Sequence, residues 1–198
     1  MKNVARLSIA LALAASLMGE LGACSASRGS GPYTGIASAD RDPQRSRELL
    51  LQATKARADD PSETEQLLRE ALAADLYNGP AHNNLGIIHL SRGELYEAAN
   101  EFEWARKLMP GNPDPRLNLA LTLEQAGQVD ESLRAYTAAL DVYPGYLPAL
   151  QGRTRLEIQS NRVAEHTAQA LSDIAMRGDE QWRAWALLWT TKLTGQDW

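Results

Sequence analysis

Apolar residues recur with the period of an α-helix along most of the chain, and short polar turns separate the helical segments. Between 95 and 109 the apolar spacings are three and four, so these residues lie on one face of a helix. A preceding helix is predicted over 80–91, because Gly93 then turns the chain. Pro110 ends the second helix, since proline cannot continue a helix and restrains the residue before it. The apolar face of this second helix is formed by Leu95, Ala98, Ala99, Phe102, Ala105 and Leu108.

The same pattern returns after 34 residues, so the pair of helices in 79–112 is followed by a second pair in 113–146. A fixed period of this size is the signature of a helical solenoid, because one pair cannot bury its apolar stripe alone and must stack on the next. Small residues let the helices approach closely, and larger ones fill the space between them. The equivalent residues are Leu85 and Leu119, Gly86 and Ala120, Gly93 and Gly127, Ala98 and Ser132, Phe102 and Tyr136, Ala105 and Ala139, and Pro110 and Pro144.

The period extends to both sides of these two pairs. In 45–78, Leu68 falls on the aromatic position, which predicts a divergent first repeat. In 147–178 the first helix keeps the pattern, and Asn161 replaces the turn glycine. The second helix loses the pattern, because Asp173 falls on the alanine position. This segment is predicted to be a degenerate fourth repeat, as terminal repeats usually are.

A last helix is predicted over 179–193, within a final segment of 179–198. Trp182, Trp185 and Trp189 follow one another at spacings of three and four, which places them on one apolar face. We interpret this helix as a cap over the open end of the last repeat. A surface for a protein partner or a membrane stays open as an alternative, because exposed aromatic patches mark interfaces.

The leucine, small, aromatic, alanine and proline positions of the two clearest repeats resemble the tetratricopeptide repeat (TPR). The resemblance implies an all-α fold, namely a right-handed α-solenoid of helix-turn-helix repeats with a C-terminal capping helix. His82 and His89 stand where the family usually has Trp and Tyr. The array then covers 45–178, with repeats over 45–78, 79–112 and 113–146 and a degenerate repeat over 147–178.

In TPR proteins the first helix of each repeat lines a concave groove, and this resemblance implies a set of contacts for a protein or peptide partner. Asn84 and Asn118 are equivalent residues, and an amide that both donates and accepts hydrogen bonds would hold an extended peptide backbone. Arg155 would meet a carboxylate, although the lysines of the carboxylate clamp in chaperone-binding TPR proteins have no counterpart here. The alternative is a set of generic groove residues. The candidates are Asn83, Asn84, Ile87, Leu90, Leu117, Asn118, Leu121, Gln125 and Arg155.

The N-terminus carries the pattern of a secretion signal. Two basic residues precede an apolar run of 12 residues over 7–18, which is shorter than the ~20 that span a bilayer. The sequence Leu-Gly-Ala-Cys at 21–24 then resembles the lipobox of bacterial lipoproteins and contains the single cysteine. The resemblance implies removal of a signal peptide, 1–23, and lipid attachment to Cys24, and Ser25 suggests the periplasmic side of the outer membrane. Open alternatives are a plain secretory signal with a free cysteine, and a buried N-terminal helix.

Residues 24–44 are rich in Ser, Gly, Ala and Pro and have no apolar period. Such a composition predicts a flexible tether between the lipid and the repeats. Its roughly 20 residues would reach up to ~70 Å when fully extended, which is enough to clear the lipid headgroups.

Charge and motif content argue against nucleic-acid binding and against catalysis. The net charge of −5 leaves no broad basic surface for phosphates. The sequence has no phosphate-binding loop, dinucleotide-binding glycine motif or nucleophile elbow. Its three histidines do not form a cluster with metal-ligand spacing. We therefore predict no catalytic residue, no metal and no cofactor.

Together these features predict a non-enzymatic scaffold, anchored by lipid to the outer membrane and facing the periplasm. The resemblance extends to the outer-membrane TPR lipoproteins that help secretins of pilus and secretion systems assemble, including the tight-adherence pilus lipoproteins. Two alternatives stay open. One is an adaptor that recruits a periplasmic peptidase or cell-wall hydrolase, and the other is a structural homo-oligomer that uses the tryptophan face.

Overall fold

A computed structural model describes residues 41–56 and 61–195 of the chain, and every regular element within these ranges is an α-helix. The predicted signal peptide, Cys24, nearly all of the predicted tether and Trp198 lie outside the described residues. None of the described helices is long and apolar enough to cross a bilayer. The helices are α1 (Pro43–Ala56), α2 (Pro61–Ala74), α3 (Gly79–Ser91), α4 (Leu95–Leu108), α5 (Asp114–Gln125), α6 (Val129–Val142), α7 (Leu147–Gln159), α8 (Glu165–Arg177) and α9 (Glu180–Thr194).

Successive helices pack against each other in pairs. Helix α1 packs on α2, α3 on α4 and α5 on α6, and the second helix of each pair also contacts the first helix of the next. The first helices of neighbouring pairs touch as well, α3 with α5 and α5 with α7. Over the described residues this arrangement confirms the predicted all-α helical repeat fold.

Helix α1 begins one residue before the predicted end of the tether at residue 44. Helix α1 begins at Pro43, and the backbone N–H of Asp42 donates to the carbonyl of Ala74 at 2.8 Å. The side chain of Arg41 forms an ion pair with Asp75 at 2.9 Å. These contacts join the last residues of the predicted tether to the end of α2.

Residues with a left-handed backbone turn the chain between the two helices of three repeats. Gly93 and Gly127 have φ values of +75° and +73°, and Asn161 has +56°. After each of them an N–H group caps the preceding helix, as where Glu94 donates to the carbonyl of His89 at 3.0 Å. Glycine and asparagine tolerate this conformation best, which confirms the turns predicted at these positions.

The fourth repeat departs from the 34-residue period because its turn is longer. Helix α8 begins at Glu165, which is two residues later than the period from α6 would place it. Its buried residues Thr167, Leu171 and Ile174 each lie one position later than the period predicts. Ile174 therefore occupies the small-residue position that the 34-residue period assigns to Asp173. A one-residue slip, rather than loss of the helix pair, explains the degenerate pattern.

Close contact between α3 and α4 depends on Gly86. A Cβ atom at this position would lie 2.7 Å from Cε1 of Phe102, whose side chain is fully buried. Leu85 and Ala98 beside this contact are also fully buried. The phenyl ring therefore fills the space that the missing side chain of Gly86 leaves open.

Helix α9 packs along α8, in agreement with the capping interpretation. Trp182, Trp185 and Trp189 are half-buried against the apolar cluster formed by α7 and α8. The rings of Trp182 and Trp185 meet edge to face, with centroids 5.3 Å apart. On its other side, α9 leaves Leu187 and Leu188 exposed to solvent.

Replacing Gly86 with alanine is expected to lower the free energy of unfolding by about 1–2 kcal/mol. The new Cβ would overlap the ring of Phe102, and the cost of overpacking exceeds the gain in helix propensity. Urea denaturation of the two chains measures the difference.

The matched control is Gly111→Ala, because a Cβ at Gly111 would have no heavy atom within 4 Å. Its effect should stay within about 0.5 kcal/mol. Equal stability of the Gly86→Ala chain and the parent would show that α3 and α4 do not need this close contact.

Candidate functional site

The nine candidate groove residues lie on three helices that follow one another in space. Four are on α3, four on α5, and Arg155 is on α7. On α3 and on α5 the candidates recur at helical spacing and share one face. Gln125 is exposed and the other eight are half-buried. The structure therefore places the candidates on one continuous row of first helices, where a partner can reach them.

Apolar side chains form the base of this surface. Ile87 and Leu90 on α3 and Leu117 and Leu121 on α5 pack against the core cluster that α4 to α7 share, and each stays partly exposed. Their inner atoms support the core while their outer atoms face the groove. Covering those outer atoms with a ligand would remove apolar surface from water, which favours binding.

The asparagines meet differently from the expectation. Asn118 Nδ2 donates to Oδ1 of Asn83 on the neighbouring helix at 3.0 Å, so the amide pair joins Asn83, not Asn84, to Asn118. Asn84 is half-buried, and its side chain makes no hydrogen bond with another described residue. Its whole side-chain amide is available to a ligand, together with the side-chain oxygen Oδ1 and the second Nδ2–H of Asn118.

Arg155 already has a carboxylate partner inside the chain. Its Nη2 lies 2.7 Å from Oε1 and 2.9 Å from Oε2 of Glu124 on α5. The hydroxyl of Tyr136 on α6 donates to Oε2 of the same carboxylate at 2.8 Å. The charge of Arg155, which the sequence analysis assigned to a ligand, is therefore balanced by Glu124 at this end of the groove.

The repeat pattern predicts Tyr136 only as a core aromatic residue and does not predict its hydrogen bond to Glu124. Two differences between equivalent positions of the repeats indicate this contact. Tyr136 adds a hydroxyl where the preceding repeat has Phe102, and Gly152 stands where earlier repeats have Asn84 and Asn118. A Cβ at Gly152 would lie 2.4 Å from Cε1 of Tyr136. Glycine is therefore needed for the tyrosine to reach Glu124 across the helix.

The three histidines each face a glutamate. His82 is fully buried, its Nδ1 lies 2.6 Å from Oε2 of Glu101, and its ring stacks on Trp104 with centroids 5.4 Å apart. His89 pairs with Glu94 and His166 with Glu157. In the described part of the chain, no group of three His, Cys, Asp or Glu side chains could hold a metal ion. These contacts give the histidines structural roles.

The family model described as "protein kinase G tetratricopeptide repeat" matches residues 25–180. This is more than half of the chain, and the chain belongs to that family. The TPR array makes it a scaffold for protein–protein interaction. No curated protein matches the sequence.

Solved structures with the same fold are varied. MamA has a TM-score of 0.60 at 19% identity, with 67% of this chain and 77% of that chain covered. The first TPR of Spaghetti, bound to an HSP90 peptide, has a TM-score of 0.59 at 14% identity, over 62% of this chain and 98% of that one. A mutant O-GlcNAc transferase from Thermobaculum terrenum has a TM-score of 0.61 at 26% identity, over 67% of this chain and 26% of that chain. These similarities establish the shared fold.

The buried tyrosine makes stability depend on pH in alkaline solution. Burial, and after it the carboxylate of Glu124, raises the pKa of the Tyr136 hydroxyl above its ordinary value of 10.0. The folded chain therefore holds a proton that the unfolded chain loses, and stability that is fully present below about pH 10 is lost as the pH rises above it. We expect Tyr136→Phe to remove up to about 1.4 kcal/mol per pH unit from the slope of this decline.

Urea denaturation at several pH values from about 9 to 11 measures the slope separately from the overall loss of the hydrogen bond. Tyr96→Phe is the matched control, because Tyr96 is 77% exposed and its removal should leave the slope unchanged. If stability declined with pH at the same slope in Tyr136→Phe and in the parent chain, Tyr136 would not be the group responsible for the decline.

Proposed function

We propose that the chain is a non-enzymatic scaffold, anchored by lipid in the periplasm, that binds an extended segment of a protein partner along α3, α5 and α7. The observation that carries this proposal is the row of first helices, on which half-buried apolar side chains lie beside asparagine amides. An extended segment needs both kinds of group, because its backbone requires hydrogen bonds and its side chains require apolar contacts.

Polar and apolar groove residues have different roles in binding. The amides of Asn84 and Asn118 hold the backbone of the segment, and Ile87 and Leu121 contact its apolar side chains. Arg155 Nη2 donates to both carboxylate oxygens of Glu124, and this charged pair forms a polar end to the apolar surface. Since Glu124 offsets the positive charge, the segment does not need a C-terminal carboxylate.

The proposed anchor lies outside the described residues and rests on the sequence. Lipid on Cys24 would hold the chain at the outer membrane, and the tether would let the repeats face the periplasm. Several acyl chains anchor stably, since each buried methylene contributes about 0.8 kcal/mol. In this setting the scaffold helps a pilus or secretion complex assemble, as its resemblance to the secretin-assembly lipoproteins implies.

Affinity purification of the full chain from detergent-solubilised envelope tests the groove. We expect the Asn84→Ala, Asn118→Ala double variant to recover about tenfold less partner, because each lost hydrogen bond costs ~0.5–1.5 kcal/mol. Asn100→Ala is the matched control, since Asn100 is a half-buried asparagine on α4, outside the row of first helices.

Undiminished recovery by the double variant would refute groove binding. A partner from a pilus or secretion system would support the proposed setting. A peptidase or cell-wall hydrolase would identify the adaptor alternative instead, and self-association without a partner would favour the homo-oligomer.

Lipidation has its own test. Cys24→Ser is expected to move the chain from the outer-membrane fraction to the soluble periplasmic fraction and to abolish labelling by radioactive palmitate. Ser27→Ala, three residues further on, should leave both unchanged. Absence of acyl chains from the parent protein by mass spectrometry would refute the anchor and leave the groove proposal intact.

A further inference from the structure

A second site lies between α4, α5 and α6. Its cavity has a volume of about 400 Å³, which is within the range of small ligand sites. The apolar part of the lining is formed by Ala99, Leu119, Leu123, Ala135 and Ala138. The charged part is formed by Glu103, Arg106, Arg116, Glu131 and Arg134.

This cavity faces away from the proposed groove. Its residues on α5 include Arg116 and Leu119, whereas the groove residues of α5 include Leu117 and Leu121. At 100° per residue the two sets point to nearly opposite sides of the helix. A ligand in the cavity would therefore not compete with a segment in the groove.

Comparison with the preceding repeat explains why the cavity exists. The residues 34 positions before Arg116, Ala135 and Ala138 are His82, Glu101 and Trp104. There the indole stacks on the imidazole, and the carboxylate lies 2.6 Å from Nδ1 of the same ring. The third repeat keeps a basic residue but has alanine in place of both the acid and the aromatic residue. The cavity is the space that those two side chains occupy one repeat earlier.

Arg116 consequently lacks the acid that its counterpart has. It is half-buried, its Nη1 donates to the backbone carbonyl of Asn112 at 3.1 Å, and it forms no ion pair within the described residues. Burial, and after it the nearby charge of Arg106, lowers the pKa of Arg116, as expected for a cation without a counterion.

The neighbouring charged residues do not neutralise the positive charge of Arg116. Arg106 pairs with Glu103 and Arg134 with Glu131, so three arginines and two glutamates leave one positive charge. The Nε atom of Arg106 is buried and has no hydrogen-bond partner among the described residues. The cavity therefore combines an apolar floor with spare guanidinium donors.

We infer that this cavity binds an acidic and an aromatic side chain that a partner protein presents together. The partner's carboxylate lies where Glu101 lies one repeat earlier, and it pairs with Arg116. The partner's aromatic ring lies where Trp104 lies one repeat earlier, and it stacks on the guanidinium of Arg116. We expect both groups to come from one polypeptide, because Glu101 and Trp104, which fill the equivalent space in the second repeat, are three residues apart on one helix.

Titration of the ¹⁵N-labelled full chain in detergent micelles with acetyl-Glu-Ala-Ala-Trp-amide tests the inference. We expect the backbone resonances of Ala99, Ala135 and Ala138 to shift. The dissociation constant for acetyl-Gln-Ala-Ala-Trp-amide should be about tenfold higher, because a charge-assisted hydrogen bond is lost. Arg116→Gln should abolish the preference for the Glu peptide.

Two further chains separate binding from folding. Ala138→Trp should fill the cavity from within and block the peptide while the helical spectrum is retained. Arg69→Gln removes an exposed arginine that pairs with Glu65 outside the cavity, and binding should be unchanged. The Asn84→Ala, Asn118→Ala chain should also bind normally, which distinguishes this site from the groove.

No binding, equal binding of the Glu and Gln peptides, or binding that survives both Arg116→Gln and Ala138→Trp would overturn the inference. Shifts caused by indole-3-propionate but not by the peptide would also overturn it, because the ligand would then be a free aromatic acid.

Discussion

Every helix pair in this chain carries an apolar stripe that it cannot cover by itself, and the stacking of pairs resolves this deficit. One core cluster runs from Ala98 and Phe102 on α4, through Leu119 on α5 and Tyr136 on α6, to Leu156 on α7. Because burial of apolar surface is the main favourable contribution to folding, the stacked array is stable where an isolated pair would not be. The same stacking determines which residues remain available for function.

The groove is a direct consequence of this packing. When the first helices α3, α5 and α7 lie side by side, their outer faces form a continuous surface whose residues cannot be fully buried. The hydrogen bond between Asn83 and Asn118 and the ion pair between Glu124 and Arg155 join neighbouring repeats across it. These polar contacts orient the surface that an extended ligand would meet in the proposed groove, and the apolar residues between them would contribute to its binding.

The cavity on the other side of α5 arises because the second and third repeats have side chains of different size at equivalent positions. The second repeat fills the space internally with Glu101 and Trp104 against His82. The third repeat has alanines there and a larger basic residue, Arg116. A repeat protein can thus open a cavity by leaving out side chains at one interface.

The helices and turns follow from the sequence alone, because helix period, turn residues and proline stops act locally. The bounds predicted for the helices of the second repeat, the turns at Gly93 and Asn161, and the all-α repeat fold all follow from such local signals. The 34-residue period also places the candidate residues on the first helices, since the spacing along a helix defines its faces.

How side chains from different helices meet depends on the packing of the helices in three dimensions. Periodicity pairs Asn84 with Asn118 as equivalents, but the relative rotation and offset of α3 and α5 bring Asn83 to Asn118 instead. Glu124 holds Arg155 because α5 and α7 stack closely, and the longer turn before α8 moves Ile174 into the position that a strict period gives to Asp173. A repeat period records equivalent positions along the chain, whereas contacts depend on distances and angles between helices, which the period does not contain.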